Sequence, residues 1–309
     1  MGNIYTIRNY RPADFDKYVQ LNGEAEKLEP TGRCASPQFF RESLYRPSHS
    51  PEQDLFLVEK TGNIVGYMDV TLELITRRVI LDCFIHPDHR RRGLALKLLG
   101  YATYRAKELE AKVAHVNIPR DNAVAKIVLR KLGFKFVHRF LQLSLDLTKV
   151  RWQDIDEAAL QCRHLQRGEE DKLTEIQNRS FAGTRGYNPN TVEEISYQIN
   201  SMNCSPEEVV LTCDGDKIIG YCWTRITCEV KAATGERKGQ IHMLGVDPDY
   251  RDRRIGKGVL LAGLSYCRSK GLQVAELTVD SRNKEARALY RSVGFKVRTS
   301  SLWYEKVIG

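Results

Sequence analysis

IHPDHRRRGLALKLL (Ile85–Leu99) and VDPDYRDRRIGKGVLL (Val246–Leu261) are one phrase written twice. Each is followed, at the same distance, by a second shared phrase: RDNAVAKIVLRKLGF (Arg120–Phe134) and SRNKEARALYRSVGF (Ser281–Phe295). Pro87 matches Pro248, Arg90 matches Arg251, Asn122 matches Asn283 and Gly133 matches Gly294, every pair 161 positions apart. Four matches at one offset, without slippage, mark an internal duplication. The chain holds two copies of one fold, and the copies differ where chemistry would be done.

The 309 residues suit two domains, since chains of about 150 residues can each bury a core. Hydrophobic residues at 42% and charged residues at 28% exclude a disordered chain. No apolar run approaches the roughly 18 residues of a membrane-spanning helix. The start, MGNIYTIRNYRPADFD, lacks the apolar stretch of a signal peptide. Eight cysteines show no C-x-x-C pairing, which predicts free thiols in a reducing cytoplasm and no metal site. A net charge of +9 permits a nucleic-acid partner. The positive clusters, however, fall at Arg90–Arg92 and at Arg251, Arg253 and Arg254, inside the repeated phrases. A phosphate-bearing cofactor accounts for them more directly.

Outward from the phrases, each half has the same order. A hairpin comes first: Leu55–Val58 turning at Thr61-Gly62-Asn63 into Ile64–Tyr67, and Val209–Leu211 turning at Asp214-Gly215-Asp216 into Ile218–Tyr221. Gly66 and Gly220 are only 154 apart, so the second copy carries seven extra residues before Pro248, which places an inserted loop at Lys231–Gly239. The repeated phrase then follows a strand and opens a helix, over Leu94–Leu109 and Ile255–Ser269. A further strand (Val113–Ile118; Val274–Val279), a short helix ending at Gly-Phe, and an alternating segment (Phe136–Leu147; Val297–Tyr304) complete each copy. This order of strands and helices predicts an α/β fold with a mixed sheet. The domains are expected at 1–149 and 158–309, with Thr148–Glu157 as linker.

The strand–turn–helix around Arg90-x-x-Gly93-x-Ala95 has a physical logic. Small residues let a backbone approach a ligand closely. Free N–H groups at a helix start, with the helix dipole, bind anions. Flanking arginines add charge, and a pyrophosphate is the natural guest.

With this loop, the Asn-x-x-Ala element and the Gly-Phe ending, the sequence resembles the GNAT superfamily of N-acetyltransferases over nearly its whole length. The tandem arrangement, with IQNRSFAG (Ile176–Gly183) and HMLGVDP (His242–Pro248), resembles the mycothiol synthase group within it. The resemblance implies two tandem GNAT domains and acetyl-CoA or CoA as cofactor. It implies cofactor contacts from Val246, Arg251, Arg253, Arg254, Ile255, Gly256, Lys257 and Asn283 in the second copy. In the first copy the corresponding set is Ile85, Arg90, Arg91, Arg92, Gly93, Leu94, Ala95 and Asn122.

The resemblance also separates the copies. In the family a tyrosine before Gly-Phe often protonates the departing CoA thiolate; here that residue is Tyr290, and its match in the first copy is Leu129. The base often comes from the strand before the phosphate loop, where the second copy reads Gln240-Ile241-His242-Met243-Leu244. Gln240 stands where many members have glutamate and cannot be a base. His242 can, because a histidine titrates near neutrality. By strand alternation, positions 240, 242 and 244 are expected on one face. The Leu244 N–H would polarise the thioester carbonyl. The first copy has Val79 and Leu81 at the matching positions, with Asp82 on the opposite face. One departure runs the other way: Arg254 replaces the first copy's Gly93, adding a guanidinium for phosphate or bulk that crowds the loop.

The expectation is an acetyl-CoA-dependent N-acetyltransferase acting on a small-molecule or peptide amine from the C-terminal half. The N-terminal half would bind cofactor without turnover. Lys231–Gly239 and Phe181–Pro189 would shape the acceptor site. No membrane partner is expected. The rival reading is an acyl-CoA-sensing or RNA-associated module, which the positive charge permits.

Overall fold

Alternation of apolar residues around tight turns builds the sheets, and the repeated phrases lay helices over them. The computed structural model describes residues 5–30, 36–150, 152, 162–184, 186–201, 204–230 (backbone only for 227–230) and 237–309. Much of the expected linker, residues 231–236 of the expected insertion, Arg185, Cys34 and the Cys228 side chain lie outside these described residues.

The first copy runs β1 (Thr6–Asn9), α1 (Phe15–Leu28), α2 (Pro37–Leu44), α3 (Pro51–Asp54), β2 (Leu55–Lys60), β3 (Asn63–Glu73), β4 (Arg78–Ile85), α4 (Leu94–Glu108), β5 (Val113–Pro119), α5 (Ala123–Lys131) and β6 (Lys135–Asp146). The second runs β7 (Arg163–His164), α6 (Glu170–Phe181), α7 (Val192–Ile199), β8 (Val209–Asp214), β9 (Lys217–Val230), β10 (Arg237–Val246), α8 (Ile255–Ser269), β11 (Val274–Asp280), α9 (Lys284–Val293) and β12 (Lys296–Val307). The helices and strands flanking both repeated phrases fall where the sequence places them.

The chain divides into two compact units, Met1–His138 with Ser301–Gly309, and Arg139–Ser300. The sequence halves put β6 in the first domain and β12 in the second. Instead, Ser301–Val307 of β12 pairs antiparallel with β5, and Phe140–Asp146 of β6 pairs antiparallel with β11. The physical reason is burial. Leu141, Leu143 and Leu145 enter the second unit's core, while Tyr304 is buried in the first unit's core.

Within the first unit the strands pair as β1-β2-β3-β4-β5-β12, with only β4 and β5 parallel. Within the second they pair as β7-β8-β9-β10-β11-β6, with only β10 and β11 parallel. Helices cover both faces. In the second unit α8 lies over Cys222, Ile241, Leu277 and Val279. On the other face α6 and α7 bury Leu173, Ile176, Ile195 and Ile199 against Tyr221 and Trp223. Each unit thus has a core on either side of its sheet. No helix among the described residues is long and apolar enough to cross a membrane.

The strand exchange makes a prediction. A fragment 1–149 lacks the strand that closes the β5 edge, so it should fail to show a cooperative thermal transition by circular dichroism. Co-expression with 150–309 should recover a soluble, co-purifying pair. Independent two-state melting of 1–149 would show that β12 is dispensable to that unit.

Candidate active site

The site begins with a separation of strands. β10 and β11 pair in parallel from Lys238↔Val274 to Ile241↔Leu277. β4 and β5 pair from Arg78↔Val113 to Ile80↔His115. Beyond those residues the parallel ladder stops while the other edge of β10 and β4 remains paired. The Asp247 N–H donates to the Ile219 carbonyl at 2.9 Å, and the His86 N–H donates to Val65 at 2.9 Å. With a period of two, the amides of Leu244 and Val246, and of Cys83 and Ile85, therefore face the gap. Backbone N–H groups require partners, so the gap presents two ready donors in each unit.

At the end of the gap sits the phosphate-type loop, and both copies fold it alike. Arg91 and Asp252 have φ of 61° and 62°, and Gly93 and Arg254 have φ of 75° and 61°, all left-handed. Alternating handedness turns successive N–H groups inward, making an anion-binding nest ahead of the helix start. Arg254 does not crowd the loop: a Cβ placed on Gly93 meets nothing within 4 Å. The Arg254 side chain is exposed, and its left-handed backbone costs about 1 kcal/mol that glycine avoids. Leu94 is buried in the first unit's core and offers only its backbone. Ala95, Ile255 and Gly256 are half-buried, and Arg91, Arg92, Arg253, Arg254 and Lys257 are exposed beside the loop.

Two expected cofactor contacts have other work. Arg251 donates from Nη2 to the Ser180 carbonyl at 2.8 Å. Arg90 donates from Nε to the Ile85 carbonyl at 2.8 Å and pairs with Glu29 at 2.7 Å. They brace the loop. Asn283 and Asn122 are helix N-caps, accepting from the Ala286 N–H at 3.0 Å and the Ala125 N–H at 2.9 Å. Their side-chain oxygens satisfy helix ends rather than reach for a ligand.

Tyr290 stands on α9, 7% exposed, edge-on to Phe295 at 5.8 Å. Burial, with Cys222 beside it, pushes its hydroxyl pKa well above the ordinary tyrosine value, so it keeps its proton at neutral pH. Leu129 fills the matching place in the first unit's core. The Gly-Phe ending is mechanical. Gly294 closes α9 at φ 107°, and the Phe295 N–H returns to the Tyr290 carbonyl at 3.0 Å.

His242 occupies a feature that the first copy lacks. Ile241 pairs with Thr224 and Met243 with Trp223, leaving His242 as the extra residue of a β-bulge. β3 and β4 pair without such a break. The bulge overturns the expected alternation. Gln240 and His242 share a face, but Leu244 packs in the α8-side core, whereas Met243 joins the opposite one. His242 and Leu244 thus act from different sides of the strand, the first by its ring and the second by its amide. The imidazole meets the Trp223 ring edge-to-face, centroids 5.1 Å apart at 86°. Burial, then the nearby Arg225 charge, hold its pKa well below the ordinary histidine value, so the ring is neutral at neutral pH. Trp223 and Arg225 alternate with Tyr221 in GYCWTR and could have been assigned to this face from that pattern. The bulge itself has no such signature.

Around this face α6 packs closely on β10: a Cβ on Gly245 would lie 2.5 Å from Tyr221 and 2.8 Å from Ser180. In the expected acceptor segment Tyr187 stacks on Phe181 at 5.1 Å, its hydroxyl donating to Asn178 Oδ1 at 2.8 Å. Asp247 begins the turn into the loop, its side chain 1% exposed and paired with Arg179 and Lys217 at 3.1 Å each. A groove of about 1090 Å³ between β1 and α4, lined by Phe56, Tyr101 and Tyr104 among others, includes none of the gap-lining residues. Among the described residues no cluster of His, Cys, Asp or Glu could hold a metal.

Open parallel strands, amides facing the gap and a nest at a helix start define an acyl-transfer type of fold, present twice. The family description "Acetyltransferase (GNAT) family" matches residues 22–134 and again 171–295, and the chain belongs to that family. It is 27% identical over 260 residues to a mycothiol acetyltransferase of Stackebrandtia nassauensis, covering 83% of each chain. It is 25% identical over 308 residues to the mycothiol acetyltransferase of Streptomyces coelicolor, covering 98% of this chain and 94% of that one. In fold it is similar to a GCN5-related N-acetyltransferase from Sphaerobacter thermophilus (TM-score 0.72, 23% identity, 98% and 96% of the chains covered). It is likewise similar to a tandem GNAT protein of the clavulanic acid pathway (TM-score 0.71, 14% identity, 99% of each chain).

The Asp247 cluster gives a pH prediction. Burial pushes this carboxyl up, but Arg179, the Asp249 N–H and Lys217 outweigh it and hold the pKa at about 2. A depressed carboxylate stabilises the fold above its unfolded value, roughly 3.9, and loses that contribution as pH falls toward 2. Asp247→Asn should therefore lower the urea midpoint at pH 7, and its deficit against wild type should narrow between about pH 4 and pH 2. A deficit constant with pH would show that Asp247 acts through shape alone.

Proposed function

We propose that the protein is an acetyl-CoA-dependent N-acetyltransferase that acylates a primary amine, with turnover confined to the second unit. One observation carries the reading: only the second unit joins the gap and nest to a proton-holding Tyr290 and a neutral His242. The first unit has the same gap and nest with Leu129 and Leu81 at the matching positions, which supports cofactor binding without catalysis. Relatives named for mycothiol favour a small-molecule amine as acceptor. Gln240, at a position where many family members carry a glutamate base, leaves His242 as the basic side chain on that face.

The residues fit the cofactor by their donors. The nest at Arg251–Arg254 and the start of α8 hold a diphosphate, with Arg253 and Arg254 adding charge from solvent. The Leu244 and Val246 amides would hold the amide-bearing arm in the gap, and the Leu244 N–H would stabilise negative charge developing on the acyl oxygen. Bound acetyl-CoA supplies an activated acyl thioester. His242 accepts a proton from the incoming ammonium, directly or through water, because a primary amine near pKa 10 is protonated at neutral pH. As the freed amine bonds to the acyl carbon and the carbon–sulfur bond breaks, Tyr290, on the opposite side of the strand, would donate its proton to the departing sulfur and regain one, through solvent, from the nitrogen, which still carries a proton more than the amide keeps. Removal from His242's side and delivery from Tyr290's side keep the two transfers apart.

The test is thiol release from acetyl-CoA across desacetyl-mycothiol, polyamines, aminoglycosides and peptides with free N-termini. Release with one acceptor class is expected. Tyr290→Phe should lower kcat by about 10²–10⁴ with little change in KM. An unchanged kcat would remove Tyr290 from the acid role. Leu129→Tyr should add no turnover, since the first unit would still lack a base.

A further inference from the structure

The charged environment of His242 is unusual, because the ionised side chain that acts on it is a half-buried cation, Arg225. Arg225 on β9 lies with its guanidinium carbon 5.1 Å over the Trp223 ring, the ring that meets the His242 imidazole. Trp223 is fully buried, and its indole N–H is held by Cys204 Sγ at 3.3 Å. Arg225 is fixed by Nη2 donating to Gln198 Oε1 at 2.8 Å. Its Nε has no hydrogen-bond partner among the described residues. The carboxylate behind it does not neutralise it fully. Glu208 is 5% exposed, burial pushes it toward its protonated form, and its Oε2 also lacks a hydrogen-bond partner.

A half-buried guanidinium whose buried Nε has no partner and whose counter-charge is incomplete is costly, so its place here calls for a reason. One indole links the two groups. With a cation already on the π-face of Trp223, a second cation against the same ring system meets like-charge repulsion in a medium that screens poorly. A neutral imidazole meets none. We propose that Arg225 is a positioning residue for acetyl transfer: acting through Trp223, it holds the His242 ring in the bulge in its neutral, proton-accepting form. The inference rests on His242 being the base.

The groups facing His242 bear this out. From β9 come Trp223 and Arg225. Behind Arg225 stand Glu208, in the turn before β8, and the neutral Gln198 of α7. The flanking Ile241 and Met243 of its own strand carry no charge. Among the described residues Arg225 is the charge that acts on the imidazole, and it acts in the same direction as burial. The first unit has Asp69 and Thr71 at the places of Trp223 and Arg225. That pattern suits a copy with no base to keep neutral.

The experiment compares Arg225→Met, which keeps the packing and removes the charge, with Arg225→Lys, which keeps the charge. The His242 imidazole titration is followed by NMR in the full-length protein, assigned by its loss in His242→Gln. The pH dependence of kcat/KM is recorded alongside, with circular dichroism to confirm folding. In Arg225→Met the imidazole titration and the acid limb of kcat/KM should both move up by about one pH unit. At a pH below both limbs that makes the variant about tenfold slower than wild type. Arg225→Lys should restore both toward wild type. An unmoved imidazole titration in a folded Arg225→Met overturns the proposal. A titration that moves while the acid limb stays put upholds the link from Arg225 to His242 and removes His242 as base. The two readings therefore fail separately.

Discussion

Everything chemical in this protein depends on two parallel strands that stop pairing. A ladder that continued past Ile241 would bury the Leu244 and Val246 amides in the sheet and leave no room for a ligand. Because β9 still holds the other edge of β10, the strand keeps its shape while one row of donors is exposed. Such donors bind an extended, amide-bearing chain as a sheet edge binds a peptide, and they do so without prior rearrangement. The loop and helix start then only have to terminate the site with positive potential. This division explains why the two units can share a cofactor-shaped frame and differ in reactivity.

The difference lies in few atoms. Tyr290 against Leu129 sets a phenol against an isobutyl group at one buried place. The bulge adds one residue to β10 and brings His242 onto the face that Trp223 and Arg225 line. Neither change disturbs the loop, whose backbone angles agree between copies although a glycine in one is an arginine in the other. The frame is held by backbone geometry and packing, the reactivity by side chains that the frame does not need.

Much of this was legible in the sequence. The constant offset between Pro87 and Pro248, and between Gly133 and Gly294, fixed the repeat. The alternation of LFLV and the turn at Thr61-Gly62-Asn63 placed the hairpins. The asymmetry at Tyr290 could be read directly. What could not be read were features decided by tertiary pairing. The bulge at His242 follows from how β10 meets β9, and strict alternation put Leu244 on the wrong face. Asn283 and Asn122, read as cofactor contacts, also cap their helices through Oδ1, a role that the motif alone does not reveal. Arg90 and Arg251, read as phosphate contacts, also brace the turn through bonds that the sequence does not show. The destinations of β6 and β12 were hidden for a simpler reason: both are alternating strands of similar length, and either would suit either sheet.

That last exchange has a consequence for how the chain is made. The strand that closes β5 is the last in the sequence, so at about 5–20 residues per second the β5 edge waits roughly ten to forty seconds on the ribosome for its partner. An open β-edge is a template for association with other chains. The interval is one in which a nascent chain is vulnerable, and a holding chaperone or slow local synthesis would matter most there. The second unit faces no such delay, since its borrowed strand, β6, has been synthesised before the unit begins.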